Sequence, residues 1–151
     1  MNTNFEITKR NRNILENFLN TFSLEQLNKI PENFKNNLFW NIAHVVATQQ
    51  LLVYKLSKLE MKLPEDWVNE FKKETKPERI YTESDVDYVR KHLLSTILET
   101  EKDYNAGKFL EFIPYQTSNG FLLHEVDDSI NFNNFHEGMH LGIILQIKKF
   151  L

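Results

Sequence analysis

Proline, the residue a helix interior tolerates least, stands at only four positions, Pro31, Pro64, Pro77 and Pro114. Each falls between segments of helical apolar periodicity rather than inside one. Glycine is as scarce, with four residues. This is the punctuation of a helical bundle. A first helix is predicted through Ile7, Ile14, Leu15, Phe18, Leu19 and Phe22, ending before Ser23, which forms a capping box with Gln26 for a short turn. A second begins near Asn36 or Asn37. It carries Leu38, Ile42, Val45, Leu52, Leu56 and Leu59 on one side and Trp40, Ala47 and Leu51 on another, so it is expected to be buried on several sides. The stretch from Met61 to about Tyr81, with Pro64, Trp67 and Pro77, is long enough to cross the bundle. A third helix follows Thr82 or Ser84, with Val86, Val89, Leu93, Ile97, Thr100 and Tyr104 forming a seam. After a loop with Gly107, Pro114 and the turn Thr117-Ser118-Asn119-Gly120, a last helix runs to Leu151. The expected fold is therefore all-α, a four-helix bundle with a long connection between helices 2 and 3, and a single domain over residues 1–151.

Composition narrows the function. A hydrophobic content of 41% over 151 residues supports one real core. The formal net charge of −3, with acids and bases interspersed, leaves no basic patch for nucleic acid. There is no cysteine, so a metal site would have to use nitrogen and oxygen donors, and no cysteine nucleophile is available. The first residues, Met1 to Glu6, lack a signal-peptide pattern, and no apolar run reaches membrane-spanning length. The expectation is a cytoplasmic protein without a membrane or nucleic-acid partner.

The segment Phe135-His136-Glu137-Gly138-Met139-His140-Leu141-Gly142 carries the chemistry. His136 and His140 are four residues apart and share a helix face with Phe132, Met139, Ile143, Ile147 and Phe150. Two imidazoles on a core-facing stripe need hydrogen-bond partners for four ring nitrogens, and a shared metal ion answers that need. A third candidate is His44, in the middle of the second helix among Ala43, Val45 and Val46. In a bundle it can converge with the pair and leave a coordination position open. His92 lies beside the third-helix seam and is read as a surface residue. His124 has no spacing argument and is left out.

The same stretch spells the H-E-x-x-H of zinc peptidases. Only eleven residues follow His140, and none is a good third ligand. Glu137 points about 100° away from His136 around the helix, so its expected role is an interhelical or supporting hydrogen bond rather than that of a general base.

These residues carry a family resemblance. The helical chain, with Trp40-Asn41-Ile42-Ala43-His44-Val45 in its second helix and Asn133-Asn134-Phe135-His136-Glu137-Gly138-Met139-His140-Leu141-Gly142 near its end, resembles the DinB-like superfamily of metal-dependent enzymes. The resemblance spans essentially the whole chain, including Leu24-Glu25-Gln26-Leu27 through Pro31. It implies an up-down-down-up order of helices, a divalent metal (zinc or nickel) on His44, His136 and His140, and a homodimer. It also implies metal-dependent chemistry on a small-molecule substrate, a transferase or isomerase reaction that uses a low-molecular-weight thiol or a hydrolase-like one. Trp40, Thr48 and Met139, on the sides of the helices that bear the ligands, are expected to line the pocket. The alternative is a non-catalytic or stress-related bundle in which the ion is structural. The structural case would require a closed shell of four protein ligands.

Overall fold

The computed structural model describes residues 2–151. Its six α-helices are α1 (Thr3–Thr21), α2 (Leu24–Asn28), α3 (Leu38–Gln49), α4 (Glu65–Phe71), α5 (Glu83–Asn105) and α6 (Val126–Ile147). A two-residue antiparallel pair, β1 (Tyr115–Gln116) and β2 (Leu122–Leu123), adds the only strands among the described residues. The chain is thus mostly helical.

Side-chain caps set the helix starts. The Asn2 carboxamide accepts the amide of Asn4, and that of Asn37 accepts the amide of Trp40. Ser23 with Gln26, and Thr82 with Asp85, form reciprocal capping boxes. Each satisfies amides that the first helical turn leaves without intrahelical partners.

α1 packs against α5 and α6, while α3 is enclosed by α4, α5 and α6. All residues from Leu38 to Ala47 are buried, as expected of a helix that is apolar around its circumference. The core forms two clusters. One gathers Leu15, Phe39, Trp40, Val89 and Ile144; the other gathers Phe5, Leu52, Ile97, Ile130 and Phe132.

The structure departs from the sequence expectation in several places, among them the last helix, which ends at Ile147 and tightens into a 3-10 turn, Lys148–Phe150, instead of running to Leu151. In α1 the buried stripe is Phe5, Thr8, Arg12, Leu15 and Leu19, whereas Ile7 and Ile14 are exposed. The true stripe alternates three and four in spacing but contains an arginine and a threonine, so reading apolar residues alone shifts the face. The second helix does not run on to Leu59. After Gln49 it widens into a π-helical segment, Gln50–Lys55, and Lys58 then turns the chain at φ 56°. The widening turns consecutive glutamines inward: Gln49 donates to Thr100 Oγ1 at 2.8 Å, and Gln50 accepts the Lys62 amide at 2.7 Å. Within the long connection lies α4, which buries Val68 and Phe71. Finally, the loop before the last helix contains the β1–β2 pair around the turn at Thr117–Gly120.

Candidate metal centre

His44 stands in the enclosed α3, one turn after Trp40, which belongs to the first core cluster. His136 and His140 stand on α6, with His136 one turn after Phe132 of the second cluster. One ligand-capable nitrogen from each histidine lies within 4.8 Å of the others. His44 and His136 are buried and His140 is half-buried. Of the stripe read from sequence, Phe132 and Ile147 are buried, but Ile143 and Phe150 are exposed, because the core contact of α6 shifts to Ile144 near its end.

Hydrogen bonds fix the tautomers. His44 Nδ1 is 2.6 Å from the Phe71 carbonyl, which only accepts, so Nδ1 carries the proton. His140 Nδ1 is 2.8 Å from Asn41 Oδ1. The Asn41 amide cannot present its nitrogen instead, because Nδ2 donates to Asn36 Oδ1 and to the Asn37 carbonyl, each at 2.8 Å. Both rings therefore offer a bare Nε2 lone pair. This is the arrangement in which metal-binding histidines are held, with the far N–H given to a carbonyl or carboxylate-like oxygen.

His44 Nε2 and His136 Nε2 lie 3.2 Å apart. Two nitrogens bound at ~2.0–2.1 Å to one tetrahedral ion stand about 3.3–3.4 Å apart. The spacing fits a shared cation. In its absence His136 Nε2 must hold the proton, and its buried Nδ1 has no partner among the described residues. Burial first, then the neighbouring imidazoles and Arg12, push His136 down to about 2; burial and His44 push His140 down to about 3. Burial also lowers His44, against the opposing bond to Phe71. All three are neutral at physiological pH, the state in which imidazole binds a metal.

The indole of Trp40 stacks on His44, with centroids 4.6 Å apart and planes at 12°. Thr48 Oγ1 lies 3.4 Å from His44 Nε2. The three histidines border a cavity of about 640 Å³ that opens to solvent, and Trp40, Thr48 and Met139 line it too. His124 is exposed, and neither it nor His92 joins the group.

Glu137 faces the other way. Its Oε1 accepts from Arg12 Nε at 3.0 Å, Arg12 Nη2 at 2.8 Å and Asn133 Nδ2 at 2.9 Å, and Arg12 also donates to the Leu93 carbonyl. Both charged side chains are fully buried. The glutamate of the H-E-x-x-H run thus ties α6 to α1 and is not poised as a base. Arg12 is a residue the sequence reading missed. Its signal was its place on the three-four stripe of Phe5, Leu15 and Leu19.

A mostly helical fold with three neutral histidines converging beside an open cavity defines a class of candidate metal-binding helical proteins. The chain matches the family model of the DinB superfamily over residues 7–144 and belongs to that superfamily. Comparison with curated proteins gives no match.

Proposed function

We propose that this protein is a metal-dependent enzyme in which His44, His136 and His140 hold a divalent ion, zinc or nickel, with at least one position open to the cavity. The observation that carries this reading is the set of tautomers. His44 and His140 are each held by an Nδ1–H bond that leaves Nε2 free, and the third imidazole nitrogen sits at ligand spacing from His44. When bound, such an ion lowers the pKa of a thiol or water donor in its open position. Trp40 shields one face of His44 from solvent, and the Thr48 hydroxyl offers a hydrogen bond on the cavity side. Phe132 and Met139 give the cavity apolar walls that exclude water from a bound substrate. Family membership supports thiol-dependent transfer over peptidase chemistry, and the engagement of Glu137 by Arg12 argues the same way.

On this reading the long helices α1, α3, α5 and α6 form a single-domain up-down-down-up four-helix bundle, and the protein works as a cytoplasmic homodimer. Among the described residues no helix is long and apolar enough to cross a membrane. The competing possibility, a structural ion, would need a fourth protein ligand. The metal-ligand group among the described residues contains three.

Plasma emission analysis of protein purified without chelator tests the centre. About one ion per chain is expected, with a strong loss in His140→Ala, because two imidazoles hold an ion far less well than three. Equal metal content in the mutant would remove His140 from the site. The chemistry is tested by thiol-transfer assays with metal-loaded and metal-stripped protein against a panel of small thiols. No metal-dependent turnover would leave the thiol-transfer reading unsupported.

A further inference from the structure

The walls of the cavity specify more than a place for an ion. His44, Thr48, Leu51, Leu52 and Lys55 all line it, following one another down α3 and its π-helical continuation. The widened turn lets consecutive residues, Leu51 and Leu52, both reach the cavity. Ile113 and Phe132 line it as well. The histidines supply a polar region, these side chains an apolar one, and Lys55 lies furthest along the helix from His44. Eleven residues at ~1.5 Å each separate His44 from Lys55 by roughly 16 Å along the axis. The Lys55 ammonium rests beside Glu65 at the cavity's margin; swung toward the N-terminus, as helical side chains lean, it would stand roughly 10 Å from the histidines.

Charge has the same direction. Lys55 and Lys73 line the cavity against a single acid, Glu74, which lies 3.9 Å from Lys73. The nearby Glu137 is occupied by Arg12. Lys55 itself is 3.5 Å from Glu65, with both side chains more than half exposed, so that pair is easily exchanged for another anion.

We propose that the cavity takes an elongated organic anion, with its apolar body along Leu51, Leu52, Ile113 and Phe132, its anionic head on Lys55, and a donor group at its other end facing the three histidines. This deepens the metal-centre reading and rests on it for the donor end only. Straight-chain α,ω-dicarboxylates are suitable probes, because one carboxylate can face the histidines while the other reaches Lys55.

Calorimetric titration of zinc-loaded protein with dicarboxylates from succinate to dodecanedioate is expected to show tightest binding near about eight to ten carbons, the length set by the helical span. Lys55→Gln should weaken binding of the optimum dicarboxylate about fivefold, the range of a partly solvated ion pair. Lys58→Gln, which removes the same charge outside the cavity, should not. In metal-free protein, octanoate should bind more tightly than octan-1-ol, and Lys55→Gln should erase that preference. Affinity indifferent to chain length, or unchanged by Lys55→Gln in both forms, would overturn the proposal. Failure of zinc to bind at all would overturn the three-histidine centre instead, while the octanoate comparison would still decide the role of Lys55.

Discussion

Asn41 illustrates how much of a candidate metal site lies behind its ligands. Its amide is oriented by two donated hydrogen bonds, and its oxygen in turn orients His140. Losing a partner of this kind typically costs ten- to a hundredfold in metal affinity. Asn41→Leu is therefore expected to weaken zinc binding by about that factor in a competitive chelator titration, with α-helical content retained by circular dichroism. An unchanged affinity would mean that His140 needs no such support. The histidine cluster was legible in the sequence, because the i, i+4 pair and a histidine inside an apolar helix are visible in one dimension. Their supports were not. The Phe71 carbonyl is backbone, and Asn41 is one of many asparagines until the fold brings it beside a partner 99 positions along the chain. The pocket residues Trp40, Thr48 and Met139 were readable for the same reason as the ligands, since they share helix faces with them.

At the level of elements, the tie between α1 and α6 is a buried ion pair, and its energetics are asymmetric. Removing one partner strands the other charge in the core at a cost of roughly 3–5 kcal/mol, whereas replacing both with apolar residues of similar volume is often nearly neutral. Arg12→Ala is expected to lower unfolding free energy by about that amount in urea titration. The double variant Arg12→Met with Glu137→Leu should recover most of the loss. A double variant as unstable as the single one would show that the Leu93 carbonyl and Asn133, left without Arg12 and Glu137, dominate instead. The long helices were legible from proline placement, and the Ser23 capping box with them, while the later starts were readable only to Asn36 or Asn37 and to Thr82 or Ser84, of which Asn37 and Thr82 are the caps. The α4 helix, the strand pair and the π-helical segment were not. The first two are too short for periodicity to register, and the third depends on where Gln49 and Gln50 find partners in other elements.

For the whole molecule, a shared ion would join α3 to α6 and add its binding free energy to the fold. With free zinc at a hundred times its dissociation constant, the gain is about 2.7 kcal/mol. Chelation is accordingly expected to lower the melting temperature by roughly 5–10 °C in a chain of this size. Calorimetry with and without a chelator checks this, and identical melting curves would contradict it. Metal-free protein should also weaken in mild acid. The folded-state histidines are depressed below the ordinary value near 6.5, so from about pH 6.5 downward the unfolded chain takes up protons that the folded chain refuses. Stability should fall by a few kcal/mol between pH 6.5 and 4.5, a window above the titration of the carboxylates of Asp85 and Asp103, both held at about 2. Urea midpoints across that range measure the slope, and a flat profile would contradict the depressed values.

The bond from His44 to the Phe71 carbonyl has a kinetic side. Phe71 is the last residue of α4, a helix of only seven residues joined to the rest by long loops. Phe71 itself is buried, but the chain is exposed from Lys72 to Glu74, and helix ends open more often than helix interiors. Each opening frees the His44 ring to rotate away from its companions. Escape of the ion would then keep time with the fraying of this one turn rather than with unfolding of the protein. Amide hydrogen exchange in α4 should slow when zinc is added, and a stabilising substitution on the exposed side of α4 should lengthen the residence time of the ion and slow its association by a similar factor.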